Sequence, residues 1–162
     1  MNNQAAFSSL NDCSVEIEKL HKIIEVFGQN HTIVPFLTNY AVIKCCGTIE
    51  NCFKLIISDF HNTLPSQAKN YIENTFLNSS MNPSKDNICK SLRKFDEQWN
   101  ENFKAKLLQE VDRSRIESSL NSLNQARNAF AHGGSPAVSF TSVVTYFNDS
   151  RRVIEILDDV VR

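Results

Sequence analysis

The chain has 162 residues, of which 41% are hydrophobic and 22% are charged, as is typical of a folded globular protein. This length suffices for one domain with its own core. The formal net charge of −1 argues against binding to nucleic acid mainly through an overall positive field, although a local basic groove is not excluded.

Helical periodicity dominates the first half of the chain. The segment SVEIEKLHKIIEVF repeats apolar residues every three or four positions, and Gly28 marks its end. Pro35 suits the first turn of a second helix, predicted over residues 36–63. That segment is apolar around most of its circumference, so we expect it to be the central, most buried element. The predicted apolar stripe of the first helix consists of Val15, Leu20, Ile23, Ile24 and Phe27.

Turn residues divide the middle of the chain into shorter helices. Pro65 and Ser66 restart the chain into a helix predicted near residues 67–77, and the polar segment NSSMNPS forms a loop after it. Helical pattern resumes at about residues 85–95 and can continue as far as Leu107. Residues 81–115 carry eight Lys and Arg against six Asp and Glu, a mild excess that a solvated helix face explains at least as well as a binding groove.

Two further helices complete the predicted fold. Ser114 and Glu117 have the spacing of a capping box that opens one of them. Thr141 or Ser142 is the expected cap of the last. Strand signals are nearly absent. We therefore predict an all-α helical bundle of about five or six helices, in a single domain over residues 1–162 with its core at about 12–161.

The five cysteines show no pattern of a metal or disulfide site. They are Cys13, Cys45, Cys46, Cys52 and Cys89, with no CxxC pair among them. Free buried thiols behave as small hydrophobic groups and fit a reducing compartment. The first twelve residues lack the basic start and apolar core of a signal peptide, and no segment has the continuous apolarity of a membrane span. We expect a cytoplasmic protein with no membrane contact, no metal and no cofactor.

The segment QARNAFAHGGSP, residues 125–136, carries the candidate chemistry. Arg127 lies five positions before His132, and four histidines, each allowed an arginine five to seven positions upstream at an average share of arginine, give roughly 0.7 such pairs by chance. Five residues of ideal helix leave the two side chains about 140° apart. Convergence therefore requires either a helix that loosens at Gly133 and Gly134, or a second subunit that supplies the missing group.

The context of the pair resembles the motif of HEPN domains, the higher-eukaryote and prokaryote nucleotide-binding superfamily. In that motif an arginine, usually followed by a polar residue, precedes a histidine by four to six intervening positions. Here the match is Arg127, Asn128, four intervening residues and His132. The form RNAFAHG looks most like the RiboL-PSP group. The resemblance extends diffusely over residues 36–160, but only the short motif is specific.

The resemblance implies a metal-independent endoribonuclease that works as a homodimer, with the motif helices of two subunits facing each other across one composite cleft. His132 would exchange protons with the 2′-hydroxyl and the leaving 5′-oxygen, Arg127 would bind the phosphate oxygens, and Asn128 would orient the substrate or the imidazole. RNA would be cut to a 2′,3′-cyclic phosphate and a 5′-hydroxyl, while DNA would survive.

The resemblance also bears on biological role and regulation. It is compatible with a toxin or phage-defence effector, and with an antitoxin or regulatory protein as a partner. HEPN toxins that are paired with nucleotidyltransferase antitoxins carry a modifiable tyrosine two positions after the histidine. Gly134 stands at that position here, so we expect no such silencing.

Structural explanations of the same residues remain open. Arg127 can be a helix-surface residue that pairs with Glu50 or Asp158, and His132 can simply favour the negative end of a helix dipole. An isolated acid such as Glu50 within an apolar helix needs a partner, and Arg127 is our candidate, with Glu50 either aligning it for catalysis or neutralising it. The alternative function is a catalytically inactive HEPN-like module for binding or dimerisation.

Overall fold

The computed structural model describes residues 1–134 and 136–161, apart from the side chains of residues 60 and 62, and this part of the chain is all-helical. It contains seven α-helices, where the sequence predicted five or six. They are α1 (Gln4–Phe27), α2 (Val34–Ile57), α3 (Ser66–Ile72), α4 (Lys85–Phe95), α5 (Glu97–Gln109), α6 (Arg113–Ala131) and α7 (Phe140–Val160). A 3-10 helix (Asp59–Thr63) follows α2, and a π-helical turn (Glu73–Leu77) continues α3.

The extra helix results from a break that the sequence analysis left open. The chain is extended at Asp96, with φ −157° and ψ 121°, and its side chain accepts a hydrogen bond from the backbone N–H of Gln98 at 2.7 Å. An aspartate in this position satisfies N–H groups that the first turn of a helix leaves without partners. Asp96 therefore ends α4 and begins α5, so the pattern over 85–107 is two helices.

Helix α1 begins earlier and buries a different stripe than the sequence predicted. Asn3 caps its first turn by accepting a hydrogen bond from the backbone N–H of Ala6 at 2.8 Å, which the amphipathic pattern did not reveal. The buried residues are Ala6, Leu10, Cys13, Ile17, Leu20 and Ile24. Val15, Ile23 and Phe27 of the predicted stripe are exposed. The core-facing direction is thus rotated relative to the prediction, although Leu20 and Ile24 belong to both stripes.

Helix α2 is the central element, as predicted. It packs against α1, α6 and α7 and contributes the largest number of buried residues of any helix, including the fully buried Phe53. It ends at Ile57, since a tighter 3-10 turn replaces it over Asp59–Thr63. One face of α2 remains exposed, however, and carries Phe36, Tyr40 and Ile43.

The last two helices form a hairpin whose caps differ from those predicted. Asp112 precedes α6 without a side-chain capping bond, and the Ser114–Glu117 capping box is absent, because Glu117 instead binds Lys85 of α4 at 2.8 Å. Ser139, rather than Thr141 or Ser142, caps α7. The segment between them is short, so α7 packs back along α6.

The buried Asp158 of α7 binds the start of the chain. Its carboxylate accepts hydrogen bonds from the backbone N–H groups of Asn2 and Asn3, the latter at 2.9 Å. These contacts satisfy a carboxylate that is only 2% exposed. Asp158 is therefore not the partner of Arg127 that the sequence analysis had left open.

All five cysteines are buried and free, as the sequence predicted. They contribute to the hydrophobic core and do not pair with one another covalently. Among the described residues, no helix combines the length and the apolarity that crossing a bilayer requires. The same part of the chain contains no cluster of three His, Cys, Asp or Glu side chains suited to a metal ion.

Candidate active site

The segment that carries the Arg–His motif ends α6 in a Schellman motif. Gly133 adopts a positive φ of 80°, and its N–H donates to the carbonyl of Phe130 at 3.0 Å. The N–H of Gly134 donates to the carbonyl of Ala129 at 2.8 Å. This pair of bonds is the usual way in which a glycine ends a helix. The two glycines therefore stop α6 directly after His132.

The helix does not loosen before it reaches His132. The backbone N–H of His132 still donates to the carbonyl of Asn128 at 3.0 Å, and the backbone leaves helical values only at His132 itself, the C-cap, with φ −92° and ψ 16°. The offset of about 140° that helical geometry imposes on Arg127 and His132 is thus kept. The sequence allowed two ways in which the side chains of Arg127 and His132 could converge. One of them, unwinding of α6 before His132, is excluded.

Arg127 is held by three neighbouring side chains. Its Nη1 donates to Oδ1 of Asn82 at 2.9 Å and to Oδ1 of Asn128 at 3.3 Å. Its Nη2 lies 3.6 Å from Oε2 of Glu50, which is the ion pair that the sequence analysis proposed. The Arg127 side chain retains 26% of its exposure. Its guanidinium is therefore fixed in direction yet remains accessible to solvent.

Glu50 lies at the centre of a larger polar cluster. Its Oε1 accepts a hydrogen bond from Nζ of Lys54, one turn further along α2, at 2.7 Å, and another from the backbone N–H of Met81 at 2.8 Å. Lys54 is 5% exposed and also donates to the carbonyls of Leu77 and Ser79. A single carboxylate thus faces two cations, so the cluster keeps one positive charge in excess on the side of Arg127.

The polar loop between α3 and α4 belongs to this site, although the sequence analysis assigned it no role. Asn82 accepts from Arg127, and its Nδ2 donates to Oδ1 of Asn128 at 3.0 Å. The three side chains of Asn82, Arg127 and Asn128 therefore form a closed triangle of hydrogen bonds. Lys54 was also missed, but its signal was present: a lysine four residues after an isolated glutamate in an apolar helix is expected to pair with it.

His132 has a different environment. It is exposed, and its ring has no hydrogen-bond or ion-pair partner in the part of the chain that the structure describes. Only the backbone capping bonds fix its position. The structure therefore brings Glu50, Arg127 and Asn128 into contact, whereas the His132 ring makes no hydrogen bond or ion pair with them among the described residues.

The thiol nearest to the guanidinium is not a candidate nucleophile. Burial raises the pKa of Cys46 to about 12, although the positive charge of Arg127 acts in the opposite direction. The protonated thiol donates to Oδ1 of the buried Asn124 at 3.4 Å. Because the thiolate is the reactive form, Cys46 serves the core rather than chemistry.

An exposed apolar stripe leads along α2 toward the site. Phe36, Tyr40, Ile43 and Gly47 follow one another at spacings of three and four residues, which is one face of a helix, and Glu50 is the next position on that face. Phe130, on α6, is also exposed. A Cβ added at Gly47 would meet no atom within 4 Å. The stripe is therefore open along its length.

The site thus defines a class: an all-helical bundle that presents an arginine, an asparagine and, four residues further on, a histidine at the end of its penultimate helix. A family model described as RiboL-PSP-HEPN matches residues 8–162, nearly the entire chain. The protein belongs to the RiboL-PSP-HEPN family, a member of the HEPN superfamily, as the motif predicted. Membership suggests an RNase-type or nucleotide-related function. Comparisons with curated proteins and with solved structures give no match.

Proposed function

We propose that this protein is a metal-independent endoribonuclease that cuts RNA by attack of the 2′-hydroxyl. The observation that carries the proposal is the Arg127 guanidinium, which Glu50, Asn82 and Asn128 hold in one direction while part of it stays open to solvent. A cation fixed in advance at a partly dry surface is the device that stabilises a phosphorane-like transition state. Family membership supports the same chemistry.

The proposed reaction uses only side chains of the motif. One His132 imidazole removes the proton of the 2′-hydroxyl, whose oxygen forms a bond to phosphorus. The bond from phosphorus to the 5′-oxygen breaks, and a second imidazole returns a proton to that oxygen. Arg127 binds the non-bridging oxygens as their charge increases, and Asn128 orients the guanidinium. The products are a 2′,3′-cyclic phosphate and a 5′-hydroxyl.

The active unit in this proposal is a homodimer. Within one chain the hydrogen bond from His132 to Asn128 leaves Arg127 and His132 about 140° apart around the helix, so the proposal takes the facing group from a second chain. A two-fold arrangement of α6 against α6 brings two copies of each residue to a shared cleft. The exposed stripe of Phe36, Tyr40 and Ile43 gives such a dimer apolar surface to bury.

We also propose a biological context. The protein would act in the cytoplasm as a toxin or phage-defence effector, with an antitoxin or other regulatory protein as its partner. Free buried thiols favour a reducing compartment. The substrate of such an effector would be cellular RNA.

The test uses labelled RNA with EDTA present throughout. We expect the wild-type protein to cut RNA to cyclic-phosphate ends, and Arg127→Ala and His132→Ala each to lower the rate by about 10²–10⁴-fold. His132 is exposed, so His132→Ala should change the free energy of unfolding by less than about 0.5 kcal/mol. Cleavage that requires a metal, or that survives both substitutions, would contradict the proposal.

Mixing the two inactive variants tests the composite cleft. A heterodimer of Arg127→Ala and His132→Ala chains carries one intact arginine and one intact histidine in the shared cleft. We expect a small part of the activity to return after subunit exchange, in proportion to the heterodimer measured by native mass spectrometry, because the single imidazole removes the proton of the 2′-hydroxyl while water must replace the second imidazole as the acid. A site contained within one chain predicts no recovery at any mixing ratio.

The second candidate is an inactive HEPN-like module for binding or dimerisation. It is favoured by two observations: Asn82, Asn128 and Glu50 already occupy the Arg127 guanidinium, and His132 makes no hydrogen bond with it among the described residues. Such a module would form dimers and bind RNA without cutting it. The same assay distinguishes the two, because tight binding with no cyclic-phosphate product supports the module alone.

A further inference from the structure

Helix α4 has the largest excess of basic over acidic residues of any helix, and it lies next to the candidate active site. Helix α4 carries Lys85, Lys90, Arg93 and Lys94 against one acid, Asp86, although the chain as a whole has a formal charge of −1. A groove of about 450 Å³ lies along it. It is lined by Met81, Asn87, Lys90, Ser91, Arg93 and Lys94.

The cations of this groove are free to bind a ligand. Lys90 and Lys94 are exposed, and neither has an ion-pair or hydrogen-bond partner among the residues that the structure describes. Arg93 has only a loose contact of 3.6 Å with the exposed Glu97. The sequence analysis attributed the basic excess of this region to an ordinary solvated face. The structure shows in addition that three of these cations, Lys90, Arg93 and Lys94, line one groove.

The groove is connected to the Arg127 guanidinium by two hydrogen bonds. Asn87, in the groove, donates from Nδ2 to the backbone carbonyl of Asn82 at 2.9 Å. Asn82 in turn accepts from Arg127 at 2.9 Å. Met81 lines the groove while its N–H binds Glu50. The groove and the candidate active site therefore share one loop and adjoin each other.

From this geometry we propose that the α4 groove binds the phosphate backbone of single-stranded RNA and leads the strand toward Arg127. Lys90 and Lys94 are four residues apart, so they present two cations about one helical turn, or 6 Å, apart on one face. Positive grooves that follow the backbone are the common means of holding single strands without reading sequence. A flexible strand, rather than a duplex, also suits cleavage by 2′-hydroxyl attack.

The inference deepens the proposed function, because it names the substrate contacts of the same site, but it is tested separately by binding. The probe is a fluorescent 2′-O-methyl oligouridylate, which has no free 2′-hydroxyl and therefore cannot be cut by the proposed reaction. Wild-type protein is compared with Lys90→Gln/Lys94→Gln by fluorescence anisotropy over a series of salt concentrations. The matched control is Lys19→Gln/Lys22→Gln on α1. It removes the same charge from exposed positions that are distant from α4 in the sequence.

We expect the α4 double variant to bind about tenfold more weakly near physiological salt. The slope of log K against log salt concentration should become less steep by about 0.7 for each phosphate that the variant no longer neutralises. The control variant should match the wild type in both quantities. Circular dichroism checks that each variant is folded. Substitutions at exposed positions should leave the fold unchanged.

The results separate the two proposals. Equal affinity of the α4 variant and the wild type, or an equal loss in the control, would overturn the groove assignment even if RNA is cut, and would leave the groove to an acidic protein partner. A weakened, salt-dependent affinity in the α4 variant alone supports the groove even if no cleavage is found. Single-stranded DNA and inorganic polyphosphate serve as further probes. Similar binding of DNA and competition by polyphosphate at matched charge are both expected from a groove that contacts only phosphates, whereas failure of both polyanions to compete with the RNA probe would overturn backbone binding.

Discussion

The two halves of the candidate active site differ in how the fold holds them. Arg127 is partly buried and held by side chains from α2, α6 and the loop between α3 and α4. His132, five residues later on the same helix, is exposed and fixed only by its backbone. Both residues belong to the same short motif, yet Arg127 contributes to the stability of the bundle and His132 does not.

This difference indicates that the Arg127 side of the site has its supporting contacts within one chain, whereas the His132 side does not. A guanidinium that must bind a developing charge gains from being fixed in advance, because no reorganisation is then needed during the reaction. A proton-transfer group on a helix end can be oriented by whatever faces it. In the proposed dimer, the partner subunit and the substrate would supply that orientation for His132. Substitutions on the two sides should therefore have separable effects on stability and activity.

The largest effect on stability is expected from Glu50→Ala. It leaves the ammonium of Lys54 buried without its carboxylate and leaves the N–H of Met81 without its acceptor. Breaking a buried ion pair from one side typically costs about 3–5 kcal/mol, and we expect a loss of that order in chemical denaturation. Activity should fall as well, since Arg127 loses its partner.

Two controls make the Glu50 result specific. Glu50→Gln keeps hydrogen-bond acceptors for Lys54 and Met81 and should cost less than Glu50→Ala. Glu25→Ala removes an exposed glutamate of α1 and should change the free energy of unfolding by no more than about 0.5 kcal/mol. A loss below about 1 kcal/mol for Glu50→Ala would mean that the polar cluster does not stabilise the fold.

A smaller effect is expected at the His132 side from Gly134→Ala. An added Cβ would lie 2.9 Å from the backbone oxygen of Ala129, so the turn after α6 must shift. Crowding of this kind costs about 1–3 kcal/mol, and the shift should also displace His132 and lower RNA cleavage. Thermal unfolding and the cleavage assay measure the two consequences.

Gly47→Ala is the matched glycine control. Its added Cβ meets open space within α2, so the substitution should stabilise the helix by about 0.5–1 kcal/mol. If Gly134→Ala behaves in the same way as Gly47→Ala, the close contact at the end of α6 is not a constraint on the protein.

The smallest effect is expected far from either half, at Glu117. Burial tends to raise the pKa of its carboxyl group, but hydrogen bonds from Lys85 and Arg113 outweigh it, so the pKa is lowered from 4.5. The stabilisation is therefore fully present above pH 4.5 and is lost as the pH falls below that value. For so exposed a pair, Glu117→Gln should cost less than about 1 kcal/mol at neutral pH.

The pH dependence is the informative measurement for Glu117. The difference in free energy of unfolding between wild type and Glu117→Gln should shrink as the carboxyl group is protonated in acid. A constant difference across the acid range would mean that Glu117 acts through packing rather than charge.

The sequence predicted the features that depend on a local pattern or on a buried charge that requires a partner. The all-helical fold, the central position of α2 and the contact between Glu50 and Arg127 were all expected, because periodicity and an isolated buried acid constrain the answer strongly. The stripe of α1 was predicted less well. Apolar residues lie on two overlapping faces of that helix, and only the positions of α2 and α7 decide which one is buried.

The features that the sequence analysis missed depend on contacts distant along the chain. Asn82 reaches Arg127 from a loop 45 residues earlier, and nothing in the segment NSSMNPS signals that contact. The break at Asp96 was accessible in principle, since an aspartate before Glu97 is a usual helix start, but the continuing apolar pattern obscured it. The groove on α4 needed the structure, because charge excess alone does not reveal a concave surface.

The contact between Gly134 and Ala129 has a consequence for how this protein can be controlled. With its Cβ position filled by a neighbouring carbonyl, residue 134 has no room for any side chain in this backbone conformation. An enzyme that switches off a relative by attaching a group to a residue two places beyond the histidine would find no atom here to modify. Evolution of such a switch would first have to rebuild the turn, so for the proposed ribonuclease a regulatory protein that covers the proposed cleft is the simpler route to inhibition.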